Sequence, residues 1–315
     1  MAKTPYILIT GGAGFIGSHL AAAWQSRGAR VRVLDNFRTG RRENLEGLEV
    51  EIIEASVTDG SAVRDAVQGV DVVHHLAALV SVPESMEKPT ETEHINVVGT
   101  ICLLEAAAKA GVQRFVFSST SAVYGNVERE KHSETDLPAP ASPYAISKLA
   151  AEYYVMLADG RNGMRTVSLR YFNVFGPRQD PKSPYAAAVS IFTLRALRGE
   201  PLVIYGDGLQ SRDFIFVEDI VAANLLAAEK GEGVYNVGRG ERLSVYHLAE
   251  IIRDLTGSTS PIEYAPPRPG DVRHSCANSQ RLRSLGWSPA VPLADGLAKT
   301  IEWMRDDFAM GGKLS

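Results

Sequence analysis

Through the first half of the chain, short apolar runs alternate with longer stretches whose apolar positions recur at helical spacing. Tyr6–Thr10 is the first run and predicts a strand. A glycine-rich turn follows, then a helical pattern from about Phe15 to Arg27, stopped by Gly28. Arg30–Asp35, Glu51–Glu54, Val70–His75, Arg114–Ser118 and Val167–Arg170 read as further strands. Ser61–Val67, Glu91–Ala110 and Pro143–Asp159 read as helices. Strands alternating with helices predict an α/β fold, a doubly wound parallel sheet covered on both faces. Beyond Gly176-Pro177 the rhythm loosens under repeated prolines, from Pro177 to Pro269. A regular domain over 1–174 is therefore expected, followed by a smaller, irregular α/β domain over 175–315. The segment at about 213–238 is expected to pack back onto the first.

Composition narrows the class without choosing a function. The chain has 315 residues, 45% hydrophobic and 22% charged, which is ordinary for a domain with a real core. The formal net charge of -4 gives no basic excess for nucleic acid and no basic tract for a membrane surface. No apolar stretch reaches the roughly 18 residues that a membrane span needs. Met1-Ala2-Lys3-Thr4-Pro5 leads straight into a strand-like run, where no signal peptide fits. Cys102 and Cys276 make no disulfide framework, so a cytoplasmic setting is expected. His19 and the His74-His75 pair lack metal-ligand spacing, and no metal is expected.

Thr10-Gly11-Gly12-Ala13-Gly14-Phe15-Ile16-Gly17 follows the first strand and opens a helix. Glycines there permit a tight turn and let the backbone approach a pyrophosphate. The helix N-terminus then presents unpaired N–H groups and the positive end of its dipole. Asp35 closes the second strand, where a carboxylate accepts from the ribose hydroxyls of NAD and repels the 2′-phosphate of NADP. Arg38, Arg41 and Arg42 follow and are the residues that could hold such a phosphate, but Asp35 is better placed and NAD is favoured.

Tyr144 and Lys148 stand four apart on a predicted helix, so their side chains share a face. Ser142 is a natural N-cap and Pro143 suits the first helical position. A nearby ammonium, with a positive nicotinamide ring, is expected to lower the phenol from its usual value of about 10 and make Tyr144 a general base. The fifth strand ends in Ser118-Ser119-Thr120-Ser121, hydroxyls at the edge that faces a ligand crevice.

With these residues the chain resembles the extended short-chain dehydrogenase/reductase family, and within it the UDP-glucose/UDP-N-acetylglucosamine 4-epimerases. The resemblance also rests on His75-Leu76-Ala77-Ala78, Asn96-Val97-Val98-Gly99-Thr100, Ala122-Val123-Tyr124-Gly125, Arg170-Tyr171-Phe172-Asn173, Tyr205-Gly206-Asp207-Gly208, Arg212-Asp213-Phe214 and Arg268-Pro269-Gly270-Asp271. It implies a Rossmann-type sheet and a homodimer made through the two alanine- and leucine-rich helices, Glu91–Ala110 and Pro143–Asp159. It implies that Tyr144 is the base, with Lys148 on the nicotinamide ribose and Thr120 as hydroxyl partner. Gly11, Gly14, Phe15, Ile16, Gly17, Asp35 and Asn36 would hold NAD, with Ala77, Asn96 and Ser118 near it. Asn173 would contact the sugar diphosphate, Val203 and Tyr205 would flank the uracil, Arg212 and Arg268 would clamp the diphosphate, and Asp271 would hold the uridine ribose. Ser275 falls where a bulky tyrosine would exclude an N-acetyl group, and Tyr185-Ala186-Ala187-Ala188 resembles the N-acetylhexosamine branch. Ser56-Val57 departs from the family, which often carries an aspartate against the adenine there.

The implied reaction is inversion at C4 of a UDP-hexose through a 4-keto sugar. Dehydratases of the family carry an Asp-Glu pair after the fifth strand, and UDP-glucuronate decarboxylases a glutamate; this chain reads Thr120-Ser121-Ala122. The serious rival is epimerisation of UDP-glucuronate, which needs a cation or hydroxyl donors for the C6 carboxylate; Arg178, Arg195 and Arg198 lie in the right general region. A non-catalytic NAD or nucleotide-sugar binder would need none of Tyr144, Lys148 and Thr120.

Overall fold

The structure is a computed structural model that describes residues 4–181, 188–267 and 272–309. The expected strands and helices lead from β1 (Tyr6–Thr10) through α1 (Phe15–Ser26), β2 (Arg30–Asp35), β3 (Val50–Glu54) and α2 (Gly60–Ala66) to β4 (Val72–His75). Two short helices, α3 (Val82–Glu87) and α4 (Pro89–Glu93), then precede α5 (Gly99–Ala110). β5 (Arg114–Thr120), α6 (Pro143–Leu157) and β6 (Arg165–Tyr171) complete the regular part. The remainder carries β7 (Asn173–Phe175), α7 (Ala188–Arg198), β8 (Leu202–Tyr205), β9 (Ser211–Arg212), β10 (Phe214–Phe216), α8 (Val217–Lys230) and β11 (Gly233–Val237). Beyond them lie β12 (Leu243–Ser244), α9 (Val245–Thr256), β13 (Ile262–Ala265), α10 (Gln280–Arg283) and α11 (Leu293–Ala309).

Seven strands form one parallel sheet in the order β11-β6-β5-β4-β1-β2-β3. The chain runs outward from β1 to β3, returns to β4 on the other side of β1, and continues outward. The order reverses between β1 and β4, and the crevice at their carboxyl ends is where such folds take ligands. All five residues of β1 are buried, as a central strand covered on both faces requires. Its side chains alternate: Ile7 and Ile9 join Leu20, Trp24 and Ile220 on one face, and Leu8 joins Val63, Leu103 and Val155 on the other. A third core, built on Phe175, Phe192, Ile204, Phe216, Leu248 and Leu297, packs the later elements together and touches Phe15 and Ile16 of α1.

The predicted helix over 91–110 is interrupted by a π turn at His94–Val98. Asn96 lies within that turn and is buried, and π turns are frequent at functional sites. The pattern did not mark α3, which is too short to show a period. Ser81 caps it, accepting from the Glu84 N–H at 3.1 Å. Among the described residues no helix is long and apolar enough to cross a membrane, and no cluster of histidine, cysteine and carboxylate side chains could hold a metal ion.

Candidate active site

The glycine-rich turn joins β1 to α1. Gly11 has φ +69°, and a Cβ on it would lie 2.8 Å from the Ala77 nitrogen. A Cβ on Gly17 would lie 2.2 Å from the Gly11 carbonyl oxygen. Both positions exclude any side chain by contact with backbone, which brings α1 against the turn. Gly14 caps α1 without a side-chain bond, so the N–H groups of Phe15, Ile16 and Gly17 form a helix N-terminus suited to phosphate. Asp35, 7% exposed, accepts from the Ala13 N–H at 2.9 Å and the Phe37 N–H at 2.9 Å. Burial raises its pKa, and these two backbone bonds oppose the shift. Each carboxylate oxygen keeps a second lone pair for a ribose hydroxyl. Asn36 is exposed and accepts from the Arg38 N–H. These features fit a dinucleotide.

The three arginines that could have met a 2′-phosphate are each bonded to carboxylates. Arg38 reaches Glu91 at 2.7 Å and Glu84 at 2.5 Å, Arg41 reaches Asp180 at 2.8 Å, and Arg42 pairs with Glu54. That distribution favours NAD over NADP.

Ala77 and Asn96 stand at the β4 end of the crevice. The Ala77 N–H donates to Thr10 Oγ1 at 3.2 Å. Asn96 accepts from the Leu79 N–H at 2.8 Å and donates to the Leu79 carbonyl at 3.0 Å and to Ser147 Oγ at 2.9 Å. It thus clamps the loop after β4 to α6. Ser142 caps α6 through the Ala145 N–H, and Ser85 of α3 accepts from the Tyr144 N–H at 3.1 Å.

On α6 the Tyr144 phenol stands close enough to the Thr120 side chain, at the end of β5, for that hydroxyl to favour its ionised form. Lys148 is buried, with Nζ 4.3 Å from the centre of the Phe117 ring. Burial lowers its pKa to about 7, opposed by the charge of Glu152. Burial also raises the pKa of Tyr144, and the Thr120 hydroxyl only partly offsets this. The sign is opposite to the one expected from sequence. Desolvation of the phenolate dominates in the chain itself, and the charge that would reverse it belongs to a nicotinamide ring. Ser118 is turned to the protein: its hydroxyl lies 3.0 Å from the Tyr171 phenol, which donates to Asn224 at 3.0 Å.

The substrate-side residues come from scattered segments. The Asn173 N–H donates to the Asp213 carbonyl at 3.0 Å. Val203 and Tyr205 lie on β8, paired in parallel with β13. Arg212 lies on β9, and the Ser275 N–H donates to the carbonyl of its neighbour Ser211 at 3.1 Å. Asp213, 0% exposed, gathers the N–H groups of Arg239, Gly240 and Ala277 at 2.9, 2.9 and 3.0 Å. Asn173, Arg212 and Ser275 are therefore brought together. Arg268, Asp271 and the Tyr185–Ala187 part of the N-acetylhexosamine motif lie outside the described residues.

Sequence reasoning missed the residues beneath the site. Glu152 follows Lys148 by the same four residues that separate Lys148 from Tyr144, a signal that was available. Its buried partner Arg170 donates from Nη2 at 2.6 Å and from Nε at 3.0 Å. Asp213 carried no periodic signal at all.

Comparison with known proteins agrees with this geometry. Residues 7–238 match the NAD dependent epimerase/dehydratase family. The UDP-glucose 4-epimerase of Mycolicibacterium smegmatis is 39% identical over 95% of this chain and 98% of its own. The crystal structure of the Thermotoga maritima UDP-glucose 4-epimerase with UDP-glucose superposes with a TM-score of 0.93 at 41% identity, covering 96% of this chain and 99% of that one. A UDP-N-acetylglucosamine 4-epimerase from Methanobrevibacter ruminantium, in complex with UDP-N-acetylmuramic acid, gives 0.93 at 38%, covering 97% and 99%. The doubly wound sheet, the glycine-rich turn under Asp35 and the paired Tyr144 and Lys148 thus belong to a member of the NAD dependent epimerase/dehydratase family.

Proposed function

We propose that this protein is an NAD-dependent UDP-sugar 4-epimerase. The observation that carries the reading is the Tyr144 phenol placed beside Thr120, one helical turn from Lys148, at the strand ends where the glycine-rich turn and Asp35 meet. Ala122 stands where a dehydratase or decarboxylase would carry a carboxylate. NAD, held by the glycine-rich turn and Asp35, would supply the acceptor and donor of hydride for C4 of the sugar. Tyr144, ionised, takes the proton of the C4 hydroxyl and gives it back after the 4-keto sugar has turned over. Thr120 orients that hydroxyl, and Lys148, when protonated, stands on the same helix face to favour the phenolate. Arg212, with Arg268, suits the diphosphate because a guanidinium fork matches phosphate oxygens.

UDP-glucose/galactose and their N-acetyl forms are the proposed substrates, since a serine at 275 leaves room at C2. The uronate reading keeps one supporting observation. Arg195 donates to the Pro201 carbonyl and Arg198 pairs with Glu200, but Arg178 has a buried Nη1 without a hydrogen-bond partner. A homodimer through α5 and α6 is supported by the exposed apolar side chains of α6. A cytoplasmic setting is supported by two free cysteines.

Purified protein incubated separately with UDP-glucose, UDP-N-acetylglucosamine and UDP-glucuronate, with NMR of the anomeric protons, tests the reading. Conversion to the 4-epimer without loss of water or carbon dioxide is expected; elimination, decarboxylation or no conversion of any of the three refutes it. Tyr144→Phe is expected to lower kcat by roughly 10²–10⁴-fold with NAD still bound. Ser275→Tyr is expected to cut kcat/KM for the N-acetyl sugar by roughly tenfold, or ~1.4 kcal/mol, with UDP-glucose little changed.

A further inference from the structure

The lower part of α6 carries an ion pair with almost no access to water. Glu152 is 2% exposed and Arg170, on β6, is 4% exposed. Arg170 grips both carboxylate oxygens, Nη2 to Oε1 and Nε to Oε2, and Ser119 Oγ donates to Oε2 at 2.7 Å. The remaining side of the guanidinium donates from Nη1 to the Tyr124 phenol at 2.8 Å. That phenol donates to Asn236 Oδ1 at 2.7 Å, and Asn236 Nδ2 donates to the His132 carbonyl at 2.8 Å. The His132 N–H donates to the Cys276 carbonyl at 2.8 Å, next to Ser275.

A buried ion pair is a poor device for stability, because desolvation consumes most of the Coulomb gain and apolar side chains of similar volume often do as well. A pair held by so many directed bonds serves position instead. Its carboxylate stands one helical turn beyond Lys148 and two beyond Tyr144. Its hydroxyl partner, Ser119, is the residue before Thr120. The spacing between the phenol and the threonine hydroxyl therefore depends on a charge-assisted fork linking α6, β6 and the end of β5.

We propose that Glu152 and Arg170, acting through Ser119, are positioning residues for proton transfer: they hold Thr120 in register with Tyr144 and Lys148. The inference rests on the reading of Tyr144, Lys148 and Thr120 as the reacting set. Burial works against the charge of Arg170, but the Glu152 and Tyr124 bonds outweigh it and hold it charged.

Two variants separate position from folding. Ser119→Ala leaves the ion pair whole and cuts only its link to β5. Glu152→Met with Arg170→Met removes both charges together, so that neither is left buried alone. Both are expected to unfold cooperatively and to keep NAD. In both, kcat for 4-epimerisation is expected to fall roughly tenfold or more while KM stays within about twofold. Wild-type kcat in both variants, beside an inactive Tyr144→Phe, overturns the positioning role and leaves the base assignment standing. An equal rise in KM with kcat unchanged also overturns it, since that is loss of binding and not of alignment. A fully active Tyr144→Phe overturns the base assignment and this inference with it.

Discussion

His75 sits at the carboxyl end of β4, where its register with Thr10 of β1 brings the two side chains together. The Thr100 hydroxyl donates to the Asn96 carbonyl at 2.6 Å and so accepts from His75 Nε2–H at 2.9 Å. The Ala77 N–H donates to Thr10, whose hydroxyl proton then points to Nδ1 at 2.7 Å. Every proton in this chain of bonds has a direction, and the ring is neutral with its proton on Nε2. Burial, aided by the charge of Lys148, pushes its pKa down to about 3; burial does the same for His74. An unfolded histidine titrates near 6.5. Below that pH the unfolded chain takes up protons that the folded chain refuses, so stability falls as the pH drops from 6.5 toward 3. Each histidine contributes a slope of about 1.4 kcal/mol per pH unit in that window. Urea unfolding at several pH values should show that slope smaller by about this amount in His75→Gln. An unchanged slope would mean that the ring is already charged in the fold.

At the scale of elements, the loop from β2 to β3 behaves as a strap over the proposed dinucleotide site. The Arg41 N–H and Asn44 Nδ2 both donate to the Ala13 carbonyl, at 2.9 and 2.8 Å, tying the loop to the glycine-rich turn. Arg38 then reaches Glu84 on α3 and Glu91 on α4, and Arg41 reaches Asp180. Partly exposed pairs of this kind contribute about 0–1 kcal/mol each and weaken with salt. Loss of all three, in Arg38→Ala with Arg41→Ala, is expected to speed release of bound NAD by up to roughly tenfold. The NAD remaining after timed gel filtration at low and high salt measures it. A release rate indifferent to both the substitutions and the salt would show that the strap carries none of the retention.

On the scale of the whole molecule, α6 leaves apolar side chains uncovered beside α5. Tyr153, Tyr154 and Leu157 are exposed on α6, Leu157 at 75%, and Ile101 and Leu104 of α5 line a groove with Tyr154 and Leu157. Neighbouring exposed apolar groups at helical spacing mark an interaction surface more often than chance. A second copy presenting the same face would make a self-complementary four-helix contact. Sedimentation of the wild type is expected to give a dimer, and Tyr154→Asp with Leu157→Asp a monomer with its fold intact. A monomeric wild type would dispose of that arrangement.

What the sequence determined alone is what short stretches of backbone decide. The alternation of strands and helices, the turn from Thr10 to Gly17 and the shared face of Tyr144 and Lys148 each depend on neighbours within a few turns of chain. Only tertiary structure decided the rest, because the partners are far apart in sequence and leave no period. Whether Arg38, Arg41 and Arg42 face a phosphate depended on carboxylates at 84, 91, 180 and 54. Whether Ser118 turns to a ligand depended on Tyr171. The sign of the shift at Tyr144 depended on how deeply β5 and α6 bury the phenol, and no spacing encodes a dielectric. The brace of Glu152 and Arg170 lay half in view: one residue repeated the helical interval, and the other came from a strand that only the fold brings beneath it.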